Sequence, residues 1–268
     1  MSEHSSHPDN ADALTPAHSA TTPACSDVET PNHLSASSKS PAAVQKPAAS
    51  RQRSSQSASR RRSFKGLSLE QRQNERREKL IEAGLQIYGT QGFFSVTVRD
   101  VCAEAKLTER YFYESFKRSE ELFKTVYLRL IEQLQQNILA AVMQSKADPR
   151  LMVESGLTAL LRSLQDDPRM ARILFIDAIL VHEMQGNTIY ESVARFDRMI
   201  QGFMMLMFPK KPSKDTDLSL VSTGLNGYVT HIAMRWVIGG FKEPFNQVLA
   251  ACQVAYLSIL QWMEKAPD

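Results

Sequence analysis

The chain has 268 residues, of which 43% are hydrophobic and 23% charged, and its formal net charge is +3. Its three cysteines stand far apart, at positions 25, 102 and 252, without CxxC spacing or a histidine partner. We therefore expect no disulfide framework, no metal and a reducing, cytoplasmic location. No apolar run approaches the roughly 20 residues of a membrane span, and the first residues lack the apolar core of a signal peptide, so we expect no membrane contact.

The first quarter of the chain has the composition of a disordered segment. Residues 1–63 contain no aromatic residue and six of the 12 prolines, and serine and alanine dominate them. Such a segment cannot bury enough apolar surface to offset the chain entropy lost on folding. We therefore predict a disordered tail over residues 1–66, followed by a folded region of about 200 residues that is large enough for a small binding module and a helical core.

The positive charge of the chain is concentrated at the end of this tail. Residues 1–66 carry eight Lys or Arg against five Asp or Glu, residues 67–130 carry 11 against ten, and residues 131–268 carry 13 against 14. The basic residues before the first helix are Arg51, Arg53, Arg60, Arg61, Arg62 and Lys65. One interpretation is a flexible arm that binds DNA phosphates or enters a minor groove. The other is a solvated linker. Deleting residues 1–65 distinguishes the two, since only the loss of an arm lowers the salt dependence of DNA binding.

From Ser68 onward the apolar periodicity predicts helices and no strand. Ser68 and Gln71 form a capping box at the start of a first helix that ends near residues 91–92. Thr97 and Asp100 form a second reciprocal cap, and a short second helix follows it. A corner at residues 105–108 leads to a third helix, which we expect the Thr108 hydroxyl to cap.

The third helix has an anchoring face and a free face. Phe112 and Phe116 lie four residues apart and are expected to pack against the first two helices. The opposite face presents donors, acceptors and flat rings that suit base edges and phosphates better than a core. Its residues are Glu109, Arg110, Tyr111, Tyr113, Glu114 and Ser115.

The segment from residue 76 to residue 123 resembles the DNA-binding domain of the TetR family of transcriptional regulators. The residues that carry the resemblance are Leu80, Ile81, Ala83, Gly92, Phe93, Thr97 to Val101, Ala105, Leu107, Thr108, Tyr113, Phe116 and Glu120 to Leu122. The resemblance implies a helix-turn-helix module, assigned to residues 67–118. It also implies a helical effector-binding and dimerisation domain, assigned to residues 119–268.

The resemblance also implies roles for individual residues. Thr97 and Tyr113 match positions that hold the DNA backbone, and the other free-face residues of the third helix match positions that read bases. Arg110 is the strongest candidate for a base contact, because a guanidinium can pair with both acceptors of a guanine. Two positions depart from the family pattern. Lys106 replaces a glycine in the turn, so either it adopts a left-handed conformation or the turn differs slightly from that of the family, and Ser119 replaces a phosphate-binding lysine. Lys117 or Arg118 is expected to supply the missing charge, and Ser119 to cap the fourth helix.

Helix signals continue to the end of the chain and predict an all-α protein of about nine helices. A fourth helix is expected from Ser119 to about residue 144, and Asp-Pro pairs at 148–149 and 167–168 begin the fifth and sixth. Thr188 and Glu191 form a capping box for the seventh. The eighth is expected from about residue 217 to residues 239–240 and the ninth from residue 244 to about residue 265.

The eighth and ninth helices are apolar on more than one side, whereas a lone domain needs a single buried face. Ser222, Gly224 and Gly227 on the eighth helix allow a close approach of another helix. These features predict a homodimer through helices eight and nine, which the resemblance also implies; the alternative is a monomer with two central core helices. Two-fold symmetry places two recognition helices on half-sites about 34 to 36 Å apart.

Methionine and aromatic residues on helices six to eight fit either an adaptable apolar cavity or an ordinary core. The candidate effector-binding residues, which include the polar side chains on these segments, are Phe175, Asp177, His182, Phe203, Met204, Met207, Asn226 and His231. A small apolar effector is the expected ligand, and no cofactor is expected.

The sequence thus predicts a DNA-binding regulator, a repressor that binds a palindromic double-stranded operator as a dimer and is released by an effector. The alternative is an architectural or constitutive DNA-binding protein without an effector. An enzyme is not expected, because the chain shows no nucleophile elbow, phosphate-binding glycine loop or HExxH motif.

Overall fold

The computed structural model describes residues 68–181, 184, 187–209 and 216–265. The predicted tail over residues 1–66, its basic end and the candidate His182 lie outside the described residues. None of the described helices is long and apolar enough to cross a membrane.

The predicted all-α fold is confirmed: the described part of the chain forms nine helices and no strand. The sixth helix, α6, consists of an α-helical turn, a π-helical segment over Ile173–Asp177 and a final turn over Ala178–Leu180. A short 3₁₀ turn over Phe93–Ser95 separates α1 from α2. The helices are α1 Leu69–Gln91, α2 Val98–Ala105, α3 Glu109–Ser115, α4 Ser119–Gln144, α5 Pro149–Asp166, α6 from Pro168–Arg172 to its last turn, α7 Asn187–Met207, α8 Leu218–Ile238 and α9 Phe245–Glu264.

Most of the predicted helix starts are present. Ser68 with Gln71 and Thr97 with Asp100 form reciprocal capping boxes. The carboxylate of Asp148 caps α5, and that of Asp167 caps α6, each before a proline at the first helical position. Lys106 ends α2 in the left-handed region, with φ 55° and ψ 42°, as its place in the turn predicts. Side-chain capping therefore fixes these helix boundaries locally.

Three predicted caps are wrong. Thr108 precedes α3, but its side chain accepts no capping hydrogen bond. Ser119 is the first residue of α4 and Arg118 occupies the N-cap, so the hydroxyl lies inside the helix. Thr188 lies inside α7, which begins at Asn187, and its carbonyl accepts a hydrogen bond from the Ser192 hydroxyl. At Ser119 and Thr188 the helix begins one residue or more before the position that the spacing predicts, whereas at Thr108 the helix begins where predicted and only the hydrogen bond is absent.

The first three helices and the start of α4 share an aromatic core. Phe112 and Phe116 are buried, as predicted, and anchor α3. The rings of Tyr88, Phe93 and Phe123 lie 5.0 to 5.7 Å apart between centroids and join α1 to α4. Because α4 continues for 26 residues, the same helix enters the C-terminal bundle.

The C-terminal bundle packs α4 along α5, α5 against α9, and α7 and α9 against α8. The turn between α8 and α9 is held by the Trp236 indole N–H, which donates to the Glu243 carbonyl at 2.9 Å. Gly240 and Phe241 in this turn have positive φ angles of 72° and 58°. A smaller apolar cluster of Met204, Leu218, Leu225 and Met263 closes the space between α7, α8 and α9.

Candidate DNA interface, ligand cavity and dimer face

The predicted base-reading residues lie on the outer face of α3. Glu109, Arg110 and Glu114 are exposed, Tyr113 is 58% exposed, and Tyr111 and Ser115 are half-buried. Phe112 on the opposite face is fully buried, so the core fixes which side of this seven-residue helix faces outward. Thr108, Lys117 and Arg118 flank it at exposed positions.

An arginine that the sequence analysis did not single out braces α3. The Arg76 guanidinium on α1 lies 4.4 Å from the ring centroid of Tyr111 and 3.8 Å from Oε2 of Glu114. The other oxygen of Glu114 accepts from Nε of Arg110 at 3.1 Å. Arg76 lies 34 positions from Arg110 in the chain, and only the packing of α1 on α3 brings the two together. The Tyr111 ring is therefore held by α1 and is less free to reach a base than Tyr113.

The side chain of Thr97 is already engaged. Its hydroxyl and its backbone N–H both donate to Oδ2 of Asp100, at 2.6 and 2.9 Å, and these hydrogen bonds lower the pKa of Asp100. A DNA phosphate at this position competes with that carboxylate for the same two donors. The predicted phosphate contact of Thr97 thus requires the capping box to open, and it stays a prediction.

A cavity of about 270 Å³ lies within the C-terminal bundle. Five helices from α4 to α8 line it, and α9 contributes three residues at one side. Phe175, Phe203, Met204, Met207 and Asn226, all predicted from the sequence, belong to its lining. The other lining residues are Tyr127, Ile131, Leu134, Ile138, Val142, Met152, Val153, Gly156, Leu157, Leu160, Leu174, Ile179, Ile189, Ser192, Val193, Phe196, Met199, Ile200, Leu225, Val229, Thr230, Ala233, Met234, Tyr256, Ile259 and Leu260.

Two predicted cavity residues lie elsewhere. Asp177 is on the side of α6 that faces the DNA-binding module, where it is buried and accepts from the Phe93 N–H at 3.1 Å. His231 is exposed on α8, one position past the cavity-lining Thr230. Each of them lies on a different side of its helix from the residues that line the cavity, since neighbouring residues on a helix point in different directions.

The lining of the cavity carries no charged side chain. Two of its polar side chains are hydrogen-bonded within the protein: Asn226 Nδ2 donates to Asp197 Oδ1 at 2.7 Å, and the Thr230 hydroxyl donates to Asn226 Oδ1 at 3.3 Å. Burial raises the pKa values of the Tyr127 and Tyr256 phenols, so both stay neutral at physiological pH. The cavity therefore offers an apolar, uncharged interior.

The helix α6 connects this cavity to the DNA-binding module. Leu174, Phe175 and Ile179 face the cavity, while the opposite side of α6 contacts the end of α1. There Arg172 donates to the Gln91 carbonyl at 3.4 Å, and its Nε lies 3.6 Å from Asp177 Oδ2. The first turn of α6 is also tight against α1: Arg169 donates to the Gln86 side chain at 2.7 Å, and a side chain at Gly89 would collide with Arg169.

The outer faces of α8 and α9 expose several apolar side chains. Leu220 and Ile238 on α8 are 69% and 65% exposed, and Val254 on α9 is 59% exposed. The sequence of α9 has no charged residue before its last position, Glu264. A Cβ added at Gly224 or Gly227 would meet nothing within 4 Å, so these glycines leave open space outside the subunit.

Comparison with known proteins identifies the first domain. Residues 80–126 match the model of the bacterial regulatory proteins, tetR family. The chain carries a TetR-family DNA-binding domain. The match covers α2, α3 and the end of α1, with the first residues of α4. No curated protein sequence matches the chain.

Solved structures extend this likeness over the C-terminal bundle. The fatty acid degradation regulator FadR from Bacillus halodurans is 14% identical, with a TM-score of 0.58 over 69% of this chain and 94% of that chain. FadR from Bacillus subtilis, in complex with stearoyl-CoA, is 15% identical, with a TM-score of 0.56 over 71% and 99%. A TetR-family regulator from Pectobacterium atrosepticum is 19% identical, with a TM-score of 0.56 over 70% and 93%. At these identities the likeness shows that the two domains together have the TetR-type fold.

Proposed function

We propose that this TetR-type DNA-binding regulator is a dimeric repressor that leaves a palindromic operator when an apolar effector fills its cavity. One observation carries the proposal: α6 lines the cavity with one side and holds the end of α1 with the other. A ligand that displaces α6 therefore acts directly on the module that presents α3. The effector shifts the population between DNA-bound and free conformers by its difference in affinity for the two.

The proposed DNA interface consists of the outer face of α3 and its flanks. Arg110 and Tyr113 project furthest into solvent, and Arg76 holds the middle of the helix through Tyr111 and Glu114. We assign base reading to Arg110, Glu109, Glu114 and Ser115, and backbone contacts to Tyr113, Thr97, Thr108, Lys117 and Arg118. Arg110 can leave Glu114 at little cost, because an exposed ion pair between residues four apart on a helix stabilises it by only about 0.3 to 0.5 kcal/mol.

Replacing Arg110 by alanine is expected to lower the preference for operator over random DNA by about 1 to 3 kcal/mol, the usual value of a bidentate contact to guanine. Binding to both DNAs, measured by fluorescence anisotropy at one salt concentration, gives the preference directly. Arg150→Ala is the matched control, since this half-exposed arginine lies on α5. An equal loss of affinity for both DNAs would assign Arg110 to phosphate binding instead.

The dimer is proposed through the uncovered faces of α8 and α9. Exposed apolar side chains beside small residues allow close packing of a second copy, which removes apolar surface from water. A two-fold axis through this face relates the α3 helices of the two subunits, and this symmetry matches that of a palindromic operator. The large hydrophobic side chains that are exposed on these helices are Leu220, Tyr228, Ile238, Val254 and Trp262.

Effector binding is supported by the cavity and by a structural neighbour. The lining of the cavity is mostly apolar and carries no charged side chain, so the cavity favours an apolar ligand over a polar one. FadR from Bacillus subtilis, which shares the fold, was solved with stearoyl-CoA. This neighbour makes an acyl compound the first effector to test.

Footprinting and effector titration together test the proposal. The proposal predicts a protected palindrome upstream of a regulated gene and loss of protection when palmitoyl-CoA is added. A protected palindrome that no effector releases would indicate a constitutive regulator. Uniform coverage of DNA without a palindrome would indicate an architectural protein, and either result would contradict the proposed function.

A further inference from the structure

The lining of the cavity is elongated. Its lining on α4 is a single row at residues 127, 131, 134, 138 and 142, and this row spans roughly 22 Å at 1.5 Å per residue. Residues on α7 line it from Ile189 to Met207, so a second helix also follows much of its length. A lining that extends this far along two helices fits an extended chain better than a compact ligand.

The chemistry of the lining limits what can enter. A carboxylate or phosphate within this uncharged interior would lose its hydration without a charged partner, which costs several kcal/mol or more. A saturated hydrocarbon chain has no such cost and gains from burial along its whole length. A charged headgroup on such a ligand therefore stays at the cavity mouth, where Ile179 and Val193 are 49% and 40% exposed.

We infer that the cavity binds a single unbranched hydrocarbon chain, a fatty acyl group whose headgroup remains outside, and that Gly156 sets the longest chain it accepts. The inference rests on the proposed function for its regulatory meaning, but not for the binding itself. It names the effector class from the shape and charge of the cavity.

Gly156 occupies the end of the cavity that is most distant from the DNA-binding module. It faces Val142, the last cavity residue on α4, and a Cβ at Gly156 would lie 3.1 Å from the Val142 Cγ2. Met152 and Val153 of α5 complete this end. A larger side chain at residue 156 therefore shortens the space for a chain, while the opposite end of the cavity near Tyr127 stays unchanged.

Direct binding to the full-length protein without DNA tests the ligand class. Competitive displacement of a fluorescent fatty acid by octanoyl-CoA, dodecanoyl-CoA and palmitoyl-CoA is expected to show about a fourfold gain in affinity per methylene until the chain fills the cavity. Palmitate is compared with palmitoyl-CoA to distinguish a free acid from a thioester as the source, and either supports the inference if affinity depends on chain length. Affinity independent of length, or cholesterol bound as tightly as palmitoyl-CoA, would overturn it.

The length limit is tested with Gly156→Val. This variant is expected to bind palmitoyl-CoA at least about tenfold more weakly, the loss of roughly two buried methylenes, while octanoyl-CoA binds as before. Gly202→Val is the matched control, because this helical glycine on α7 has nothing within 4 Å of an added Cβ. If Gly156→Val does not fold, Met152→Phe narrows the same end from a half-buried position. Equal weakening for every chain length would refute the role of Gly156.

These experiments separate the ligand class from the proposed function. If acyl chains fail to bind but another compound releases the operator, the acyl inference is wrong and the effector-controlled repressor stands. If acyl chains bind with the expected length dependence but no palindrome is protected, the repressor is wrong and the ligand class stands.

Discussion

Replacing Val254 by arginine is expected to make the protein monomeric and to lower its affinity for operator DNA by about a hundredfold or more. Val254 is 59% exposed at the middle of α9, so arginine fits the isolated subunit without disturbing its core. Across a two-fold axis, however, two arginines would be brought together on an apolar face without a carboxylate partner. The free-energy cost of burying two unpaired charges exceeds the stabilisation that the remaining apolar contacts between the subunits provide.

The expected size of the loss follows from linked binding. In a dimer, the binding of one α3 to its half-site holds the other close to the second half-site, and such linkage raises overall affinity by about 10² to 10⁴. A monomer loses this advantage even though its own DNA contacts are intact. Single half-site DNA is therefore expected to bind the variant and the wild type with equal affinity.

Sedimentation velocity at micromolar concentration and anisotropy with the full operator measure the two effects. Met143→Arg is the matched control, since Met143 is 75% exposed on α4 and far from α8 and α9 along the chain. A Val254→Arg protein that stays dimeric would place the interface on another surface. If the wild type is a monomer and still binds the full operator tightly, the proposed dimer is wrong.

The sequence was informative wherever a local rule decides the structure. Ser68, Thr97, Asp148 and Asp167 each cap a helix through contacts within three residues, and the capping spacing is visible in the chain. Lys106 at the turn is likewise decided locally, because the chain must reverse direction within a few residues. These local signals suffice to place the helix-turn-helix module.

The sequence failed where the outcome depends on distant residues. Methionine and aromatic residues indicated α6 as a cavity helix but could not show that Asp177 faces away from the cavity. Asp177 lies within the π-helical segment at residues 173–177, where the angle between successive side chains differs from that of an α-helix. The partner of that carboxylate, the N–H of Phe93, lies 84 positions away in the chain. Contacts of this kind follow from packing, and a helical pattern does not encode them.

Asp177→Ala is expected to destabilise the fold and to weaken the response of operator binding to palmitoyl-CoA. The change leaves the Phe93 N–H buried without an acceptor and Arg172 without its carboxylate. An unsatisfied buried donor costs about 1 to 3 kcal/mol, which lowers the melting temperature by several degrees in a domain of this size. Because the same contact joins α6 to α1, a displacement of α6 by a ligand would be transmitted less effectively.

Asp177→Asn separates the hydrogen bond from the charge. The asparagine oxygen can still accept from the Phe93 N–H, so this variant is expected to keep most of the stability and of the palmitoyl-CoA response. Burial raises the pKa of Asp177 despite the Phe93 N–H and Arg172, so the ionised carboxylate is disfavoured in the folded protein. Its contribution to stability is therefore fully present below the unfolded pKa of about 3.9 and is lost as the pH rises through the raised pKa.

The asparagine variant lacks this titration. As the pH rises from about 4 to 7, the melting temperature of the wild type is thus expected to fall relative to that of the asparagine variant. The alanine variant is expected to melt below both at every pH in this range. Melting curves across this range, with operator titrations at pH 7 in the presence and absence of palmitoyl-CoA, measure stability and coupling in the same proteins. An alanine variant with wild-type melting and an unchanged ligand response would show that the contact of Asp177 with Phe93 neither stabilises the two domains nor links them. In that case α4, which also runs from the DNA-binding module into the cavity, would be the connection that remains to carry the signal.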